Sequence, residues 1–149
     1  MIESRKELNN VYQTGEEMRR LVCTYWTDLG PWLDVPFNVF YRHVCELPYV
    51  EDPPGVETVS RPLYLLDPGY TPRDCDDKAI LCACWFHAHR VPVRFVATSS
   101  RPDGFLHHVL LRAWGCGYID ATFEEFAETL GNYDYFHDVT RLDYLTKWF

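Results

Sequence analysis

Cys75 stands in Asp74-Cys75-Asp76-Asp77-Lys78-Ala79, where charged residues give way to the apolar run from Ala79 to Phe86. A cysteine there reads as a first-turn residue of an amphipathic helix, with Asp74 as its cap and Asp77 completing a capping box. Further along come His108, in Phe105-Leu106-His107-His108-Val109, and Asp120, in Tyr118-Ile119-Asp120-Ala121-Thr122. A thiol, an imidazole and a carboxylate are the parts of nucleophilic catalysis on an acyl group. The thiolate attacks, the ring moves a proton, and the carboxylate orients the ring.

The thiol has to be ionised to attack. A helix N-terminus favours a thiolate by about 0.3–1 kcal/mol. Asp74, Asp76 and Asp77 surround the same turn and oppose it by a similar amount. An imidazolium about 4 Å away, at an effective dielectric near 20, contributes on the order of 4 kcal/mol before desolvation. The expected arrangement is therefore a Cys75 thiolate beside a His108 imidazolium oriented by Asp120. The Cys75 backbone N–H, unpaired at the helix start, is one candidate oxyanion donor. Ser60, Tyr64 and Tyr70, from the preceding connection, are candidates for the second.

Elements must bring these groups together. Apolar spacing predicts helices over Glu16–Leu29, ended by Gly30-Pro31, and over Phe37–Leu47. The proline-rich stretch from Pro48 to Tyr70 reads as an ordered, irregular connection that helps shape a cleft. The cysteine helix should run from Asp74 to about His89. Strands are expected over 91–97, 105–112 and 116–121, and a short helix over 123–130. The aromatic tail, 133–149, fits neither period. Helices followed by an antiparallel sheet make an α+β domain. If Ala113-Trp114-Gly115 is a three-residue hairpin loop, Arg112 faces Cys116, Leu110 faces Tyr118, and His108 lies directly opposite Asp120. Their Cβ atoms would be about 4.5–5.5 Å apart. His107 would point to the other face. His107 and Trp114, the latter at the hairpin tip, are candidates for contacting a substrate.

The 149 residues give room for one core, so a single domain over 1–149 is expected. The net charge of -8, from 14 basic against 22 acidic residues, with no basic cluster, argues against nucleic acid or an anionic membrane as partner. The N-terminus lacks an apolar secretory core, and no apolar run approaches the roughly 20 residues that span a bilayer. A cytoplasmic location is the expectation. Six cysteines, three of them crowded between 75 and 84, show no disulfide framework and read as reduced thiols. Cys75 and Cys82 would lie about 10.5 Å apart along a helix, too far to share one zinc, so neither a metal nor another cofactor is expected. A zinc-stabilised domain remains the bland alternative.

At these residues the chain resembles the transglutaminase-like superfamily of papain-like-fold cysteine enzymes. The resemblance rests on Asp74-Cys75-Asp76-Asp77-Lys78-Ala79, Val91-Pro92-Val93-Arg94-Phe95-Val96, His108-Val109 and Asp120-Ala121-Thr122. Upstream, Leu47-Pro48-Tyr49-Val50-Glu51-Asp52-Pro53 and Gly55-Val56-Glu57 are similar to small bacterial and phage-encoded members. The similarity covers about residues 41–122. Arg73 stands where the family usually has glycine, and Ser60 where small members often have glutamine. The resemblance implies Cys75 as nucleophile, His108 as general base and acid, and Asp120 as its orienter. The resemblance does not fix the reaction; the expectation is a cysteine enzyme acting on a peptide or protein amide through a thioester, a peptidase or amidase with water as acceptor. With a lysine amine as acceptor the same chemistry cross-links proteins by acyl transfer. The alternative from another class is a phage- or prophage-encoded binding or assembly protein that keeps the fold without turnover, with a protein partner and a place in the virion.

Overall fold

The computed structural model describes residues 10–70, 72–122 and 139–149. The first helix, α1 (Val11–Tyr25), starts five residues before the expected Glu16 because Asn10 caps it, its side chain accepting the N–H groups of Tyr12 (3.0 Å) and Gln13 (2.9 Å). It also stops short of Leu29. The chain tightens into a 3-10 segment, Trp26–Asp34, kinked where Gly30 adopts φ 53° ahead of Pro31. Helix α2 (Phe37–Glu46) follows the predicted stripe, with Phe37, Phe40, Tyr41 and Val44 all buried. The connection after it is irregular apart from one turn, α3 (Pro62–Leu65).

Helix α4 (Cys75–Ala88) carries the cysteine and departs from expectation in one respect: it is not amphipathic. Ile80, Leu81, Cys82, Ala83 and Cys84 cover its whole circumference and are all fully buried. The helix is enclosed by α1, α2, α3 and the 3-10 segment on one side and by the sheet on the other. Cys82 and Cys84 serve there as small apolar side chains, and burial pushes both thiols well above their ordinary pKa.

Four antiparallel strands follow, in the spatial order β3-β2-β1-β4: β1 (Val93–Ser99), β2 (His108–Ala113), β3 (Gly117–Ile119) and β4 (Arg141–Tyr144). The domain is thus α+β. In β1, Val93, Phe95 and Ala97 pair with Ala113, Leu111 and Val109 of β2, and both rows join the core against α4. The tail, ambiguous in sequence, supplies β4 through Ala97↔Asp143 and its neighbouring pairs. Leu145 then turns into the core against α1. A Cβ added at Gly15 would lie 2.6 Å from the Leu145 Cβ, so only glycine lets the two segments approach this closely. Tyr12 reinforces the contact, its hydroxyl donating to Asp143 Oδ2 at 2.9 Å. The expected helix over 123–130 and the tail from 133 to 138 lie outside the described residues. Among the described residues no helix is long and apolar enough to cross a membrane.

The β2–β3 hairpin differs from its expected register by two residues. Leu111↔Ile119, Arg112↔Tyr118 and Ala113↔Gly117 are the pairs, and the loop is Trp114-Gly115-Cys116. The cause lies on the other side of β2. Ala113 is held by Val93, and the Trp114 N–H donates to Pro92 O at 2.9 Å, so the strand cannot bend before Trp114. Gly115 takes the left-handed conformation the turn needs, at φ 76°. A shift of two preserves which face each side chain occupies, so His108 and Asp120 are diagonal neighbours rather than direct opposites.

Candidate active site

The site is built around the first turn of α4. Asp74 caps it, accepting the Asp76 N–H at 3.1 Å, while the Asp74 N–H donates to Asp77 Oδ2 at 3.1 Å, the reciprocal box the sequence predicts. Just before it, Arg73 is fully buried. Its guanidinium donates to Leu65 O (2.9 Å), Pro48 O (2.9 Å) and Asp67 O, and its backbone bridges Val50 in both directions. This arginine therefore gathers both ends of the 48–67 connection onto the helix start. Lys78, also buried, reaches Cys45 O at 3.1 Å and Ala121 O at 3.4 Å, joining the same turn to α2 and to the loop after β3.

Asp120 is held from three directions. Its main-chain oxygen accepts from the Tyr41 hydroxyl at 2.7 Å, and Oδ1 accepts the Thr122 N–H at 3.0 Å. Its Oδ2 lies 2.6 Å from His108 Nε2. The Asp-Ala-Thr segment thus works as a unit, with Thr122 fixing the carboxylate that fixes the ring. His108 is 12% exposed on its side chain, at the first position of β2.

Cys75 and His108 border one cavity of about 720 Å³. Its remaining wall comes from the connection (Tyr49, Glu51, Asp52, Glu57), from the start of α1 and from Phe105 to His107. Cys75 itself is only 9% exposed. The sulfur's partners among the described residues are Asp76 Oδ1, at 3.8 Å, and the Val109 backbone N–H. The expected bond from the imidazole to the sulfur is not among them. In β2 it is Val109, Leu111 and Ala113 that join the core against α4, so alternation turns His108 away from that row. Burial, followed by the charges of Asp76 and Asp74, pushes the thiol well above its ordinary pKa, with Asp120 adding to the shift. Of the influences on the sulfur named here, only the Val109 N–H favours the thiolate; burial and the three aspartates favour the thiol.

Other sequence candidates fall in different places. His107 borders the cavity, its Nε2 accepting from the Ser100 N–H at 3.0 Å. Trp114 does not: 63% exposed, it meets Trp148 edge to face, roughly 20 Å along β2 from His108. Nor do Ser60, Tyr64 and Tyr70 join the lining. Ser60 Oγ and the Tyr70 hydroxyl lie 3.0 Å apart, the Tyr64 ring packs on Tyr70, and Arg61 is pinned by Asp28 at 2.7 Å to the 3-10 segment. Sequence reasoning missed the Val109 N–H, because a backbone donor leaves no residue signature. It also missed Tyr49, a phenol at the cavity whose pKa is raised by burial and by Cys75 and Asp74, so that it stays a hydrogen-bond donor.

The acids around the turn are themselves perturbed. Burial, with help from Asp52 and Glu57, pushes Asp74 from 3.8 to about 7, and burial drives Asp76 and Asp77 well above the usual carboxylate range. The folded protein keeps these protons where the unfolded chain has released them. For Asp74 the resulting stabilisation is complete below about pH 4 and is lost as pH rises through about 7. The unfolding temperature is expected to fall between pH 5 and pH 8. Asp74→Asn keeps the cap acceptor and should flatten that slope, raising the pH 8 value by about 5 °C. Thermal unfolding of both proteins across this range checks it, and a wild-type midpoint that is flat or rising contradicts it.

Two groups of carboxylate and thiol atoms lie close enough to hold a cation: Asp74, Cys75 and Asp76, and Asp52, Glu57 and Asp74, each set within 4.8 Å. Several of these oxygens already have partners. Asp52 accepts the Thr58 N–H at 2.8 Å and hydroxyl at 2.6 Å, and Asp74 caps the helix. Compared with protein-family models, with curated proteins and with solved structures, the chain matches none.

Proposed function

We propose that this chain is a transglutaminase-like cysteine hydrolase of papain-like architecture, acting on a peptide or protein amide. The observation that carries the reading is the His108 Nε2–Asp120 Oδ2 contact of 2.6 Å at a cavity that Cys75 also borders. Aspartate holds the ring by Nε2, so Nδ1 is the nitrogen that takes the thiol proton. For reaction the sulfur and the ring must close on each other across the cavity. Cys75 Sγ then bonds to the carbonyl carbon and the ring receives its proton. As the tetrahedral oxyanion collapses, the C–N bond breaks and the leaving amine takes that proton. Water, deprotonated by the same ring, cleaves the thioester to a carboxylic acid and restores the thiol. The Cys75 N–H at the helix start and the Tyr49 hydroxyl are the donors offered to the oxyanion.

Incubation with activated acyl esters and a panel of peptide amides, followed by intact-mass spectrometry, tests this. An acyl adduct mapping to Cys75, absent from Cys75→Ala, is the expected result. No adduct with any ester would sink the hydrolase reading. Adding a primary amine separates hydrolysis from cross-linking acyl transfer.

A second reading has its own support. A sulfur that is 9% exposed and hydrogen-bonded to Asp76 and the Val109 N–H suits a binding or assembly protein that has the fold without turnover. Iodoacetamide labelling across pH, mapped by mass, divides the two. One cysteine reacting far faster than the rest supports the enzyme, and uniformly slow thiols support the scaffold.

A further inference from the structure

The sheet has a second face, turned away from α4. Val93, Phe95 and Ala97 point to the core, so alternation puts Arg94, Val96 and Thr98 on the other side of β1. The register then sets Arg112 directly opposite Arg94, Tyr118 opposite Arg112, and Tyr144 opposite Val96. Two arginines in direct cross-strand opposition repel each other. Aromatic rings hold them in place. The Arg94 guanidinium lies 3.7 Å from the centre of the Tyr144 ring and 5.3 Å from that of Trp148. The Arg112 guanidinium lies 5.2 Å from Tyr118 and 5.5 Å from Trp148, and its Nη1 donates to the Tyr144 hydroxyl at 2.9 Å. Trp114, exposed at the hairpin tip, meets Trp148 edge to face and extends the apolar surface.

The donors of this pair are only partly used. Arg94 Nε donates to Thr146 O at 3.2 Å. Both terminal nitrogens of Arg94, and Nε and Nη2 of Arg112, have no acceptor among the described residues. Arg19, Arg20, Arg61, Arg101 and Arg141 each have a carboxylate partner, whereas Arg94 and Arg112 have none among the described residues. No strand residue on this face is acidic, although the chain as a whole carries a net charge of -8. An anion set between the two guanidiniums would turn their repulsion into attraction.

We propose that Arg94 and Arg112, framed by Tyr118, Tyr144, Trp148 and Trp114, form a docking surface for an acidic segment of a protein partner. A guanidinium stacked on a ring keeps its plane fixed and presents its edge, which is the geometry a carboxylate accepts through both oxygens. The neighbouring rings offer contact to an apolar side chain beside that carboxylate. Nucleic acid fits less well, because its binding draws on many phosphate contacts and the acidic remainder of the chain repels the rest of the strand. None of these six residues lines the cavity at Cys75, so a partner docked here leaves that cavity open, whether or not the thiol reacts.

Fluorescence anisotropy of the full chain with a short labelled peptide, glutamates flanking one phenylalanine, tests this. The peptide should bind, and its counterpart with glutamines for glutamates should bind at least about tenfold more weakly. Arg112→Gln should weaken the acidic peptide about five- to tenfold, and raising the salt to about 0.3 M should weaken it by a similar factor. Trp114→Ala changes an exposed side chain, so it keeps the test open where an arginine substitution disturbs the sheet; it should weaken binding about threefold. Equal affinity for the two peptides overturns the proposal, as does unchanged affinity in both variants. Tighter binding of labelled oligothymidylate than of the acidic peptide also overturns it, in favour of nucleic acid. A salt-sensitive dimer in sedimentation that Arg112→Gln dissolves would give the surface to a second copy of the chain, and overturn it in the same way.

Discussion

His108→Ala is expected to slow acylation of Cys75 by an activated ester at pH 7 by about 10²–10⁴-fold. The sulfur is surrounded by influences that keep its proton: burial first, then Asp76 and Asp74. On the proposed mechanism ionisation needs a base held in place, and His108, 2.6 Å from Asp120, is the residue proposed for it. Asp120→Asn should fall between His108→Ala and the unsubstituted protein. It keeps the Tyr41 and Thr122 contacts through its backbone and Oδ1 but loses the charge that stabilises an imidazolium. Stopped-flow acylation of the three proteins, with circular dichroism confirming the fold, measures this. A His108→Ala rate within a factor of a few of the original would remove the histidine from the mechanism.

The second large effect concerns stability. Arg73→Met, apolar and of similar length, should cost about 3–5 kcal/mol in chemical denaturation. The buried Leu65 carbonyl and the partly buried carbonyls of Pro48 and Asp67 lose their donor together, and a buried acceptor left unsatisfied costs roughly 1–3 kcal/mol. The damage should not stop at stability. The same guanidinium holds the connection that carries Tyr49, Asp52 and Glu57 to the cavity. A loss under about 1 kcal/mol would show that the backbone bridge to Val50 suffices without the side chain.

These two residues also mark what could be read from sequence. The capping box at Asp74 and Asp77, and the stripe of Phe37, Phe40, Tyr41 and Val44, are local patterns, and both appear where expected. The His108–Asp120 contact survived an error of two in the hairpin register because face depends only on parity. The error itself was not local: β1 decides where β2 ends. Enclosure of α4 is likewise set by what packs on it from both sides, which no periodicity within fourteen residues encodes. Arg73 looked like a departure at a glycine position. Its role depends on carbonyls up to 25 residues away, brought to it only by the fold.

The close approach of α1 to Leu145 through Gly15 has one further consequence. It brings Tyr12 and Arg141 to the mouth of the cavity from parts of the chain remote from Cys75, His108 and Asp120. Reactive groups and entrance are thus encoded separately. If the proposed chemistry holds, substitutions at the entrance can change which molecules are admitted while that chemistry is inherited intact.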